Sequence, residues 1–175
     1  SALSKWPNVP ACYGWLSLDR RGRWRLQGEA VQHAGLIDFI QRQYGSDEQG
    51  CWFVQNGPEL VFVDLAYTPW VARWTAGASI SLHTDHTTDV AAVFLDEEGN
   101  LLFKTLQGLA LLDDRDLANC LAACLLADGS PPSESDWLGL MTGEPVSILW
   151  QGLPIARVLA VDLPKRFHFV THPAP

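Results

Sequence analysis

The chain is short of several things, and each shortage removes a class of function. No apolar run approaches the roughly 20 residues that span a bilayer, so no membrane-crossing helix is expected. No basic segment leading into an apolar one opens the chain, so no secretory signal is read and a cytoplasmic location is expected. Positive charge is scarce: 12 Lys and Arg stand against 20 Asp and Glu, a formal net charge of −8. Nucleic-acid binders usually carry the opposite balance or a dense basic face, so no nucleic acid is expected as partner. Four cysteines, Cys12, Cys51, Cys120 and Cys124, form no Cys-x-x-Cys pair. Cys120 and Cys124 share a predicted helix face with Leu117 and Leu121, which fits small buried thiols in a reducing compartment. There is no Gly-x-Ser-x-Gly elbow, no phosphate-cradling loop and no Gly-x-Gly-x-x-Gly after a strand.

What the chain has is apolar mass and repetition. It is 47% hydrophobic over 175 residues and holds eight tryptophans, enough for a sizeable core in one domain or two small lobes. LDRRG at 18–22 returns as LDEEG at 95–99. Asp at the first position of a type I turn accepts local backbone hydrogen bonds, and Gly three residues on takes the left-handed conformation, so each phrase predicts a hairpin. LQG at 26–28 returns at 106–108, Gln55 and Pro58 are answered by Gln151 and Pro154, and VDL at 63–65 returns at 161–163. A helical stripe follows each LQG: His33, Leu36, Ile37, Ile40 and Tyr44, stopped by Gly45, then Leu117, Cys120, Leu121, Cys124 and Leu125, stopped by Gly129. The separation of the matches rises from 77 (Asp19, Asp96) and 80 (Gln27, Gln107) to 96 (Gln55, Gln151) and 98 (Asp64, Asp162). The rise falls where the second copy carries GSPPSESDWLGLMTGEP (129–145), in which SESD would cap a short helix.

These observations predict an α+β protein of two tandem β-β-α-β-β-β repeats, mainly antiparallel sheet with one main helix per repeat, packed as one pseudo-twofold body. The first repeat covers 1–78, a linker 79–90, and the second repeat 91–175 with an insertion at 129–145. PWVARW (69–74) and RFHFV (166–170) are read as the closing strands.

WPNVPACYGWLSLDRRGRW (6–24), followed by FVQNGPELVFV (53–63), resembles a family of uncharacterised Gram-negative bacterial proteins known as a domain of unknown function, matched mainly over residues 6–74. The resemblance implies a small soluble bacterial protein and carries over no catalytic residue.

Two constellations could carry chemistry. His83, Asp85 and His86 reproduce part of the HxHxDH spacing of metallo-hydrolases, so zinc or another divalent metal is a candidate cofactor, with His168 or His172 as further ligands. Ser81 stands where that signature has its first histidine, and Thr, Asp and His also suit a plain turn. Arg20 and Arg21 beside Trp24 could hold a partner, with Trp24 turned inward as the simpler reading. Trp137 and Met141 of the insertion could cover a cleft or dock a protein. The function expected is a non-catalytic small-ligand or protein-binding and assembly module, with a homo-oligomer or protein partner. The alternative is a metal-dependent hydrolase using His83, Asp85 and His86.

Overall fold

Alternation builds the first sheet. In β1 (Ala11–Leu18), Cys12, Leu16 and Leu18 are buried while Trp15 between them is exposed. The central strand β6 (Glu59–Leu65) buries Val61, Val63 and Leu65 on the same side. Each such side chain contributes about 1.5–3 kcal/mol when fully buried. β2 (Trp24–Leu26), β3 (Glu29–Ala30), β4 (Tyr44–Ser46) and β5 (Trp52–Asn56) complete the order β3-β2-β1-β6-β5-β4, with β1 and β6 parallel. Helix α1 (Ala34–Gln43) presents Leu36 and Ile40, one turn apart, to the core.

The computed structural model describes residues 6–175. Among the described residues it is mixed α+β, with two sheets of six and nine strands and four short α-helices. The nine-stranded sheet contains β10 (Ala92–Leu95), β11 (Leu101–Lys104), β12 (Leu109–Leu112), β13 (Leu125–Leu126), β14 (Ile148–Trp150) and β15 (Leu153–Arg157). Their order is β13-β14-β15-β10-β11-β12, again with the central pair, β10 and β15, parallel. That is the order of the first sheet, strand for strand, with α2 (Leu117–Ala122) in the place of α1. The chain divides into two compact units, residues 1–69 with 164–175, and residues 70–163.

Several sequence expectations need correction. Each copy has three strands before its helix and three after it, because LQG turns the chain back into an additional strand. PWVARW does not close the first sheet: β7 (Trp70–Arg73) pairs in parallel with β12. The expected linker 79–90 contains β8 (Ser79–Leu82) and β9 (Thr87–Asp89), which extend the second sheet beyond β7. RFHFV is not a strand; α4 (Leu163–Phe167) ends inside it, and the segment after it belongs to the first unit. Gly45 lies in β4, and α1 runs directly into that strand. Cys124 and Leu125 fall outside α2, which is only six residues long.

The late sequence matches also fail structurally. Gln55 is in β5 opposite Leu60, whereas Gln151 lies in the turn between β14 and β15. VDL at 63–65 is strand, while Ala160–Asp162 is a 3-10 turn. The β4–β5 connection is residues 47–51, and its counterpart between β13 and β14 is 127–147. The insertion carries α3 (Glu134–Met141), whose Ser133 and Asp136 form the expected reciprocal cap. The expected first repeat begins at residue 1; residues 1–5 lie outside the described residues.

Candidate functional site

The repeated turn phrase is a recurrent structural unit. Asp19 N–H bonds to Arg23 O at 3.0 Å and Gly22 N–H to Asp19 O at 3.1 Å, while Asp19 Oδ1 accepts from the Arg21 and Arg23 N–H groups. Asp96 and Gly99 repeat every one of these bonds, and so do Asp47 and Gly50. The three glycines have φ of 78°, 85° and 84°. The second carboxylate oxygen is used differently in the two copies. Asp19 Oδ2 takes Arg23 Nε at 2.8 Å and Arg25 Nε at 3.1 Å, whereas Asp96 Oδ2 takes Asn100 Nδ2 at 2.9 Å. Partial burial acts to raise the Asp19 carboxyl, but the N–H groups of Arg23 and Arg21 and the Arg23 guanidinium outweigh it and hold it below its ordinary range.

The same geometry accounts for the candidate metal residues. Leu82 N–H bonds to His86 O at 2.7 Å and Asp85 N–H to Leu82 O at 2.9 Å, so the stretch is the β8–β9 turn. Asp85 takes glycine's left-handed place with φ 67°. His83 Nδ1 accepts from Val71 N–H at 3.1 Å, and its ring lies against Trp70. His86 Nδ1 pairs with the Thr84 hydroxyl at 3.0 Å. His168 and His172 belong to the other unit, against Glu48 O and Asp64. Among the described residues no three His, Cys, Asp or Glu side chains are grouped to hold a metal.

The partner residues are dispersed as well. Trp24 is 2% exposed and packs edge-on against Tyr44, which puts it in the core and not on a docking face. Arg20 lies over the Tyr67 ring at 4.8 Å, and Arg21 is exposed. Glu97, whose charge opposes these arginines in the other copy, is held by Ala160 N–H at 3.0 and 3.2 Å. Trp137 and Met141 are half-buried on α3.

Ionised pairs cluster at the end of β7 and β12. Asp116 takes Arg73 through two bonds of 2.6 and 3.1 Å and also Trp74 N–H at 3.0 Å. Asp113, completely buried, holds Arg115 through Nε and, at 2.6 Å, Nη2. Arg73 keeps the Asp116 carboxyl below its usual range despite burial. The doubly bonded Arg73–Asp116 pair ties β7 to the start of α2. Burial, with Cys124 adding to it, pushes the Cys120 thiol up to about 12, and burial alone does the same to Cys124. Neither thiol is a thiolate nucleophile at neutral pH.

A cleft of about 310 Å³ opens on the second unit along β13. Its walls are Ala123, Leu125, Leu126, Ala127 and Leu149, with Gly129, Gln151 and Gly152 completing it. Pairing of Leu125 with Leu149 and Leu126 with Ile148 brings the leucines together. Gly129 is the insertion's contribution; Trp137 and Met141 do not line it. Sequence reasoning missed these residues because Leu125 read as the end of a helix. The Leu125-Leu126 pair before Ala127-Asp128-Gly129, whose Gly129 N–H closes onto Leu126 O, was the available signal.

Among the described residues no helix is long and apolar enough to cross a membrane. In fold, the chain is similar to a DUF1285 family protein from Silicibacter pomeroyi DSS-3, at 14% identity and a TM-score of 0.57, over 86% of this chain and 82% of that one. A DUF1285 family protein from Shewanella baltica OS155 matches at 14% identity and a TM-score of 0.47, over 60% of this chain and 88% of that one. No curated protein sequence matches the chain. Residues 1–174 match a family described as "Protein of unknown function (DUF2946)".

Proposed function

The chain belongs to that family, and from this premise we propose that it is a non-catalytic binding module whose second unit holds a small apolar molecule in the cleft beside β13. The observation that carries the reading is the cleft's composition: eight lining residues, every one Ala, Leu, Gly or Gln. A site that transfers protons or attacks a substrate needs a titratable or nucleophilic group within reach of it. A site that only binds needs an apolar wall and a few polar atoms, in a cleft of this size or larger. Elsewhere in the second unit, Asp116 and Asp113 are held by Arg73 and Arg115, and Cys120 and Cys124 are buried.

The test is a ligand-observed NMR screen of uncharged and charged small metabolites against the full chain and its Ala127→Trp variant. Ala127 is exposed, so the indole would fill the cleft without disturbing the core. Ligands that bind the parent and are lost on Ala127→Trp are expected. A screen in which every ligand binds both proteins alike would remove the cleft as the site.

A further inference from the structure

Within the cleft, Gln151 carries the one side chain able to form a hydrogen bond; the other walls are Ala, Leu and Gly. Gln151 sits at φ 46° in the two-residue turn that joins β14 to β15, followed by Gly152 at φ 79°, and its side chain is exposed. Among the described residues no hydrogen bond to the protein holds its carboxamide, so both its donor and its acceptor are left for solvent or a ligand at the cleft. No Lys, Arg, His, Asp or Glu lines the walls, so an ion there would lose water without gaining a counter-charge.

Resting on the binding reading above, we infer that the cleft selects an uncharged ligand with an apolar body and one amide- or hydroxyl-like group, and that Gln151 is the residue that reads that group. The apolar body lies against Leu125, Leu126 and Leu149. The polar group exchanges water for the carboxamide, a fit that a carboxylate, phosphate or ammonium ligand cannot repeat.

Three probes of one shape separate the possibilities: 3-phenylpropanamide, 3-phenylpropanoate and 3-phenylpropylammonium. Each is titrated into the full chain while the amide signals of Leu125, Leu126, Gly129, Leu149 and Gly152 are followed. The neutral amide is expected to bind at least about tenfold more tightly than either ion. Gln151→Gly, which keeps the left-handed turn without strain, should weaken the neutral probe by about fivefold and leave the ions unchanged. Equal affinities for all three probes, a preference for an ion, or an unchanged neutral affinity in Gln151→Gly would overturn this inference and leave the cleft as a binding site. If no probe moves any of the five signals, the binding reading falls with it.

Discussion

The two units share a strand order but treat the same turn in opposite ways. In the first, the turn after β4 is closed by Asp47 and Gly50, and the chain's own C-terminal segment lies on it. Val170 N–H bonds to Gly50 O at 2.9 Å, His168 Nε2 meets Glu48 O at 2.8 Å, and Leu65 N–H bonds to Thr171 O at 2.8 Å. A Cβ on Gly50 would meet His168 O at 2.6 Å. In the second, the matching glycine is Gly129, at φ 85° against 84°, and nothing lies within 4 Å of where its Cβ would be. It lines the cleft instead. A duplicated fold thus presents one turn twice, with one copy covered by a covalently attached segment and the other with open space around its glycine.

The strongest way to break the comparison is to give both glycines a side chain. Gly50→Ala should lose about 3 kcal/mol, from left-handed strain and displacement of the C-terminal segment, with hydrogen exchange at Val170 accelerated. Gly129→Ala should lose only about 1 kcal/mol, the strain alone. Urea denaturation of the two variants measures both, and equal losses would mean that the segment does not seal the first edge.

The next effect concerns charge. Arg73→Leu should cost about 2 kcal/mol at neutral pH by leaving Asp116 largely buried without its partner, less than for a fully buried pair because Arg73 is half-exposed. Asp116 and Asp19 are held below the ordinary carboxylate value of about 3.9. Their contribution is therefore complete above that value and disappears as pH falls through the lower folded values. The parent should lose stability below about pH 4, and Arg73→Leu should show a shallower acid limb.

At the alkaline end the sign reverses. Thiols raised to about 12 contribute stability that is complete below the ordinary thiol value of about 8.5 and is lost as pH rises toward the folded value. Cys120→Ala with Cys124→Ala should flatten the loss of stability between roughly pH 8 and 11, as read by chemical denaturation at each pH.

The smallest effect compares the helix starts. His33 Nδ1 accepts from Leu36 N–H at 3.0 Å, and the residue at the matching place, Asp113, accepts from Arg115 N–H at 2.9 Å. His33→Ala should cost about 1 kcal/mol and His33→Asp should restore it, because a carboxylate is the stronger cap. Thermal unfolding at neutral pH distinguishes the two.

Much of this architecture could be read from local chemistry. Asp-x-x-Gly sets its own hydrogen bonds whatever surrounds it, so the hairpins at Asp19 and Asp96 were apparent, as were the cap at Ser133 and the insertion. Matches without such a mechanism misled: Gln55 with Gln151, and VDL with VDL, are alike in letters and not in structure. The site was less accessible. His83, Asp85 and His86 look like ligands in one dimension, and the left-handed turn at Asp85 gives them turn and packing partners instead.

The sequence by itself determined the repeated Asp-x-x-Gly hairpins and the cap at Ser133, because alternation of apolar residues and short-range hydrogen bonds act within a few positions. Only the tertiary structure decided that β7 to β9 extend the second sheet, that the C-terminal segment joins the first unit, and that Leu125, Leu149 and Gln151 share a cleft. Those outcomes depend on which distant strand offers the better-matched buried edge, and no local pattern encodes that competition.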